Sequence, residues 1–379
     1  MKMKKITGII IALLLMFNVF AQDELNTITT AVPFLLIGPD ARAGAMGDVG
    51  VATTPDVNSM HWNPAKLAFN ENDLGASMSF VPWLRSLVND INLSYITGYK
   101  KIGDKQAIGF ELGYFSLGQI TFTDVNGGLI GNYTPNEYVI GSAYSRKLSD
   151  DFSLSVGGKY ILSDLTGGQS AGEYETASGK SFAADVSGFY SKPIRISGKD
   201  IDLAIGCNIS NIGSKIKYTE TATNDFIPIN LRFGTALGAD IDDYNKVSIA
   251  FDINKLLVPT PPNENGGMDP DVGVVSGIFQ SFWDAPGGTK EEFRELMYSV
   301  GGEYWYANQF ALRAGYFNEH DTKGGRKYFT FGMGMKYTVY TIDFSYLVNA
   351  NNDAGVTNPL ANTMRFSLTW DFGAIEEVN

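Results

Sequence analysis

Three glycines spaced three apart, Gly44, Gly47 and Gly50 in DARAGAMGDVG, are the first residues whose type and spacing could do chemistry. A glycine-rich turn leading into a helix can present backbone N–H groups to a phosphate. The spacing here is G-x-x-G-x-x-G. A dinucleotide site needs G-x-G-x-x-G within a βαβ unit and an acidic residue on a second parallel strand. The residues that follow alternate as antiparallel strands do, so nucleotide binding is rejected. The small residues are read instead as allowing close backbone approach to another surface.

A dozen residues on, HWNPAKLAF supplies His61, Trp62, Asn63 and Pro64. Asn63 suits an N-cap, because its side-chain oxygen can accept from early helical N–H groups, and Pro64 suits the first helical position. A short helical turn over AKLAF is expected. His61 and His320 are the two histidines, and neither has a histidine or cysteine neighbour at ligand spacing, so no metal site is expected. The acidic run DIDD at 240–243 lacks the glycine and terminal glutamate of a calcium loop. No serine stands in G-x-S-x-G. No catalytic residue, enzymatic activity or cofactor is therefore expected. Cys207, the one cysteine, rules out an intramolecular disulfide and reads as one more apolar residue on a strand face.

The elements that must hold these residues are written in two-residue alternation. In TMRFSLTWDF, Met364, Phe366, Leu368, Trp370 and Phe372 fall on one face, and Arg365, Ser367, Thr369 and Asp371 on the other. The same pattern recurs in FTFGMGMKY, YTIDFSYLV, DIDLAIGCNIS and VNDINLSYITGYK. It predicts fourteen strands, at about 74–81, 90–100, 106–116, 137–147, 152–163, 180–191, 201–210, 228–239, 245–254, 297–306, 309–318, 327–337, 340–349 and 363–372. Short connections (KIGDKQ, LSDDF, YANQ, TVYT) and medium ones (SKPIRISGKD, ADIDDYNK) alternate with long ones around 117–136, 164–179, 211–227, 255–296, 319–326 and 350–362. That alternation is the signature of a transmembrane antiparallel β-barrel, with short turns in the periplasm and long loops outside. Lipid covers the apolar face that a soluble sandwich would have to pack on a second sheet. Tyr304, Trp305, Tyr306, Tyr337 and Tyr340 beside short turns fit an interfacial aromatic girdle.

The N-terminus carries a basic patch (Lys2, Lys4, Lys5), an apolar run from Ile6 to Phe20, and Val19 and Ala21 at −3 and −1 of a cleavage site before Gln22. It reads as a secretory signal peptide. Losing its three lysines takes the formal charge from −12 to about −15, which excludes nucleic acid as a partner. The expected organisation is a signal peptide (1–21), a plug segment (22–73), a barrel (74–372) and a periplasmic tail (373–379). An even strand number places both ends of the barrel on the periplasmic side, and both termini are expected there.

The stretch NTITTAVPFLLIGPDARAGAMGDVGVATTPDVNSMHWNPAKLAF, followed by PWLRSLVNDINLSYITGYKKI and YSRKLSDDFSLSVGGKYILSDLT, resembles the PorV family of the type IX secretion system, outer-membrane barrels within the FadL-like superfamily. The resemblance spans essentially the whole chain; the NPA element alone would indicate only the superfamily. It implies a fourteen-stranded barrel with an N-terminal hatch in the lumen, which would hold Gly44, Gly47, Gly50, His61, Trp62, Asn63 and Pro64. It also implies partners: a SprA-type translocon barrel, the C-terminal signal domains of secreted cargo, and a surface attachment complex with a PorU-type sortase and a PorZ-type subunit, all among outer-membrane lipid and lipopolysaccharide. One departure stands out. Many outer-membrane barrels end on their final aromatic, whereas here Phe372 is followed by GAIEEVN.

The longest loop carries VGVVSGIFQSFWD, in which Val274, Val275, Ile278, Phe279, Phe282 and Trp283 can form a helical apolar face. Thr289 and Glu292 then make a capping-box pattern. Trp83 and Leu84 in the first outer loop are a second candidate patch. These residues either dock a partner or cargo, or pack over the barrel mouth; both readings stay open. The alternative function, transport of small hydrophobic molecules as by other FadL-like barrels, needs a lumen path lined for them. The inward-facing residues are mostly Gly, Ser, Ala, Asn and Asp, which weakens it. A general diffusion porin is disfavoured by the inserted N-terminal segment.

Overall fold

A computed structural model describes residues 25–373, apart from 86–87, 124–125, 169–175, 197, 220–222, 265, 351–359 and 361. The expected signal peptide and residues 374–379 of the expected tail lie outside the described residues.

Fourteen antiparallel strands close into a barrel. Its first half is β1 (Leu74–Pro82), β2 (Ile91–Ile102), β3 (Gln106–Leu117), β6 (Asn136–Lys147), β7 (Phe152–Asp164), β8 (Gly179–Ile196) and β9 (Lys199–Gly213). The second is β10 (Asn230–Asp240), β11 (Asn245–Leu256), β12 (Met297–Tyr306), β13 (Phe310–Asn318), β14 (Lys327–Tyr337), β15 (Tyr340–Asn349) and β16 (Met364–Phe372). The seam is β1 on β16, in register from Leu74↔Phe372 to Phe80↔Phe366. Closure gives every strand a partner on both sides, so no backbone edge faces hydrocarbon.

The alternation seen in the sequence decides which face is which. In β14, Phe329, Phe331, Met333 and Met335 are exposed on the outer wall, while Thr330 between them is buried. Cys207 is likewise exposed, opposite Phe233 in the register. The strand bounds follow the expected ones closely, with two departures. The expected ten-residue turn after β8 is much shorter, because β8 and β9 keep pairing as far as Ile196↔Lys199. The loop after β3 also carries a small separate hairpin, β4 (Ile120–Thr123) with β5 (Leu129–Tyr133). These strands are too short for alternation to mark them.

Unlike an eight-stranded barrel, one of fourteen strands is too wide for its own side chains to fill. Residues 31–70 do so here. They form a 3-10 turn (Pro33–Leu36), two single-turn helices, α1 (Ala41–Gly44) and α2 (Ser59–Trp62), and a second 3-10 turn (Pro64–Phe69). Plug and wall share their apolar clusters: Met46, Val49, Val51 and Ala65 pack with Phe189, Ala204, Ala236 and Ala250. Val57, Met60 and Leu67 pack with Tyr99, Ala107 and Ala143.

The plug runs the length of the barrel. Asn26 is held among the long loops, its backbone N–H donating to the Thr322 carbonyl (3.0 Å) and its side chain to the Pro261 carbonyl (3.2 Å). At the other end the chain turns into β1, where Lys101 N–H donates to the Asp73 carbonyl (2.7 Å). The even strand number does put Leu74 and Phe372 side by side at the short-turn end. Strand parity says nothing, however, about a segment threaded through the lumen. Among the described residues, Asn26 lies with the long loops and Phe372 at the opposite, short-turn end.

Candidate functional site

Two regions gather the residues singled out by sequence: the plug–wall contact and the long-loop rim. In the plug, Asp40 caps α1 by accepting from Ala43 N–H (2.8 Å) and also accepts from the Trp62 indole N–H (2.6 Å). The glycine-rich stretch after it lies against the wall. Gly47 has φ of 71°, and a Cβ there would stand 2.7 Å from the backbone N and O of Tyr316 in β13. Glycine, which has no Cβ, meets both that dihedral and that approach without strain.

The N–H groups of this stretch do meet an acidic oxygen, though not a phosphate. Gly50 N–H and Val51 N–H both donate to the Asp252 carboxylate of β11 (2.7 and 3.0 Å), and Gly47 N–H donates to the Thr330 hydroxyl (2.8 Å). Asn63 caps the second 3-10 turn as expected, accepting from Ala65 N–H (3.1 Å) and donating to the carbonyls of Val51 (2.9 Å) and Gly188 (3.1 Å). Pro64 is the first residue of that turn. Trp62 accepts at its carbonyl from Asn208 (3.0 Å), and the Arg232 guanidinium lies over its ring. His61 packs edge-on to Trp62 and Tyr95, beside Glu111 and Lys159. Lys159 in turn pairs with Asp185 (2.8 Å).

Sequence reasoning missed the charges that fasten plug to wall. Arg42 pairs with Asp56 (2.8 Å) inside the plug and with Glu303 of β12 (2.7 Å). Glu303 pairs with Arg313 directly across the strands (2.6 Å), and Arg313 with Asp343 of β15 (2.7 Å). A second tie joins Asp48 to Arg365 (2.8 Å), with the Tyr328 hydroxyl donating to Asp48 (2.6 Å). The available signal was charge on the inward face of otherwise membrane-like strands, as at Arg365 and Asp343.

At the rim, the plug's first turn and the loops enclose a cavity of about 530 Å³, lined by Ile28, Phe34, Trp83, Leu84, Phe115 and Met297 among others. Its basic residues are already paired, Arg326 with Glu319 (2.7 Å) and Lys323 with Glu291 (2.5 Å) and Glu295 (3.0 Å). The longest loop folds into α3 (Val274–Gln280) and α4 (Thr289–Arg294). Helix α3 splits the predicted face in two. Val274 and Ile278 pack against the rim core, whereas Val275, Phe279, Phe282 and Trp283 are exposed. The expected capping box does not form. Gly288, with φ of 67°, precedes α4, and Glu292 accepts from Ala285 N–H (2.8 Å) and from Lys255 (3.1 Å) instead. Burial would raise the Glu291 carboxyl, but hydrogen bonds from Lys323, Gly287 N–H and Asn26 hold it below the usual carboxylate range. Among the described residues, no group of three or more His, Cys, Asp or Glu side chains could hold a metal ion.

A closed fourteen-stranded barrel with an apolar outer wall, filled by its own N-terminal segment, defines an integral outer-membrane β-barrel. The chain belongs to the family described as PorV, type IX secretion system protein, which it matches over residues 20–263. This is a family of secretion-system barrels, not of enzymes. Among solved structures it is similar to the monoaromatic hydrocarbon channel CymD, with a TM-score of 0.51 and 14% identity over 89% of this chain and 98% of that one. The Ralstonia pickettii toluene transporter TbuX gives 0.48 at 12% identity, covering 89% and 98%. A Pseudomonas aeruginosa FadL homologue gives 0.46 at 11%, covering 92% and 99%. At such identities the likeness is one of fold. No curated protein matches the chain.

Proposed function

We propose that this barrel works in type IX secretion as a closed docking protein. It meets a SprA-type translocon barrel, receives the C-terminal signal domain of secreted cargo, and escorts that cargo to the attachment complex of PorU-type sortase and PorZ-type subunit. In this reading the short-turn end and the C-terminus face the periplasm and the long loops face outside, the usual sense for such barrels. Residues 22–73 are the hatch. The observation that carries the proposal is the pairing of a filled lumen with a rim that exposes the large apolar side chains of Phe279, Phe282 and Trp283, which suits a protein partner more than a solute path. Trp83 and Leu84 border the same mouth.

The test is purification from the native membrane in mild detergent. Stoichiometric recovery of a giant translocon barrel or of cargo supports the reading; a fatty acid or hydrocarbon inside the lumen, with no protein partner, overturns it. One observation favours the second reading, FadL-type transport of small hydrophobic molecules: the 530 Å³ apolar cavity at the rim, of a size that suits such ligands. Flux of toluene or oleate across proteoliposomes, compared with protein-free vesicles, checks it.

A further inference from the structure

On the outside of the barrel the longest loop folds back over β10 and β11 and leaves an apolar groove of about 320 Å³. Its floor is Leu231, Phe233 and Ile253. These are outward positions, since Arg232 and Asp252, their neighbours in sequence, are buried in the lumen. Its roof is Phe282, Phe293 and Leu296 from the loop. The loop cannot simply collapse onto the wall, because ion pairs fix its height. Lys255, opposite Leu231 in the register, is clamped by Glu292 (3.1 Å) and Glu295 (2.6 Å), and Glu295 also holds Lys323 (3.0 Å). Phe293 stays 67% exposed and Phe233 51%.

The floor residues lie within a few positions of the strand ends, so the groove sits where hydrocarbon gives way to headgroups. It is continuous with the lipid-facing wall. The charged atoms at its edge already have partners, so a peptide entering it would find nothing there for its backbone N–H and C=O groups. A methylene chain makes no such demand. We infer that the groove seats one acyl chain of a lipid from the leaflet that meets the long loops, under the roof of Phe282 and Phe293. On the orientation proposed above this is the outer leaflet. The site needs no secretion partner and stands or falls separately from the docking role.

The test reconstitutes the full mature barrel alone in nanodiscs of palmitoyl-oleoyl-phosphatidylethanolamine. A fraction of the lipid carries a photoactivatable diazirine midway along one chain, and adducts are mapped by mass spectrometry. Labelling of the 281–296 peptide is expected to exceed, several-fold, that of Phe329, an outward wall residue at the same end of the barrel. Filling the groove from its floor with Phe233→Trp, or opening the roof with Phe293→Ala, should bring that labelling down to the wall level. Heat-modifiable gel mobility shows whether each variant still folds. Labelling no higher than the wall, whether the groove is empty or covered by a second copy of the chain, overturns the inference. So does labelling that neither substitution changes.

Discussion

The backbone N–H of Gly50 and the carboxylate of Asp252 meet at 2.7 Å although 202 positions separate them in the chain. Val51 N–H shares the same oxygen at 3.0 Å. A stretch that reads like an anion cradle is thus already filled, by an acid of the barrel wall. Asp252→Ala should leave two buried N–H groups without acceptors, at about 1–3 kcal/mol each. Asp252→Asn, which keeps an acceptor oxygen, should cost less. The measurement is single-channel conductance in planar bilayers: openings should be frequent in the alanine variant, fewer in asparagine and rare in the unaltered barrel.

Arg42 is the hinge of an ion-pair chain that runs from Asp56 through Glu303 and Arg313 to Asp343. Arg42→Met strands a buried Glu303 that then has Arg313 alone, and breaking a buried pair from one side typically costs about 3–5 kcal/mol. Restoring neutrality with Glu303→Gln in the same chain should recover part of that loss. A double-mutant cycle in urea unfolding reads the coupling, expected at about 1–3 kcal/mol. Removing residues 38–66 altogether should raise conductance sharply; an unchanged trace would show that the segment does not block the lumen.

Gly47 tests close approach rather than charge. Gly47→Ala forces a side chain into a left-handed dihedral and against the Tyr316 backbone, with a loss of at least about 1–2 kcal/mol. A lower unfolding temperature in the heat-modifiable gel shift is the expected result. A matching change at Gly131, on the separate hairpin with open space around it, should leave that temperature unmoved.

The two sides of α3 separate packing from docking. Phe279→Ser and Trp283→Ser should leave barrel stability alone and weaken partner capture in pull-downs from native membranes. Ile278→Ala should do the reverse, loosening the rim by on the order of 1 kcal/mol for a half-buried side chain. Deleting 270–285 should combine both effects on a barrel that still resists heat. Normal capture after that deletion would confine the loop to self-packing.

Glu291 gives the rim a pH dependence. Its carboxyl is held low by Lys323 (2.5 Å) and Asn26 (3.0 Å). A carboxyl whose folded value lies below its unfolded one stabilises above the unfolded value and loses that contribution as pH falls through the folded one. Protection of the amides around residues 26–31, taken relative to their intrinsic exchange rates, should therefore fall in acid, below the usual carboxylate range. Glu291→Gln should show the lower protection at neutral pH and little further change on acidification.

The wall was legible because its signal is local. Phe366, Leu368 and Trp370 announce their face through their own neighbours, and Asn63 and Pro64 announce a turn in the same way. What holds the plug was not, because each tie joins distant residues: nothing near Arg42 points to Glu303, 261 positions on. The same holds for the cap of α4. Thr289 and Glu292 have the right spacing, but Lys255 of the wall claims the glutamate first. The split of α3 into packed and exposed sides likewise depends on the rim beneath it, which local periodicity does not encode.

The course of the plug, from Asn26 among the long loops to Asp73 beneath β1, constrains the order of assembly. A ring threaded by its own leading end cannot be closed first and filled afterwards unless that end is pushed through. Zipping the β1–β16 seam last, with residues 26–70 already laid along the half-built wall, avoids that passage. A bulky domain fused ahead of Asn26 should therefore hinder closure more than one fused after Phe372, read as the yield of heat-modifiable barrel.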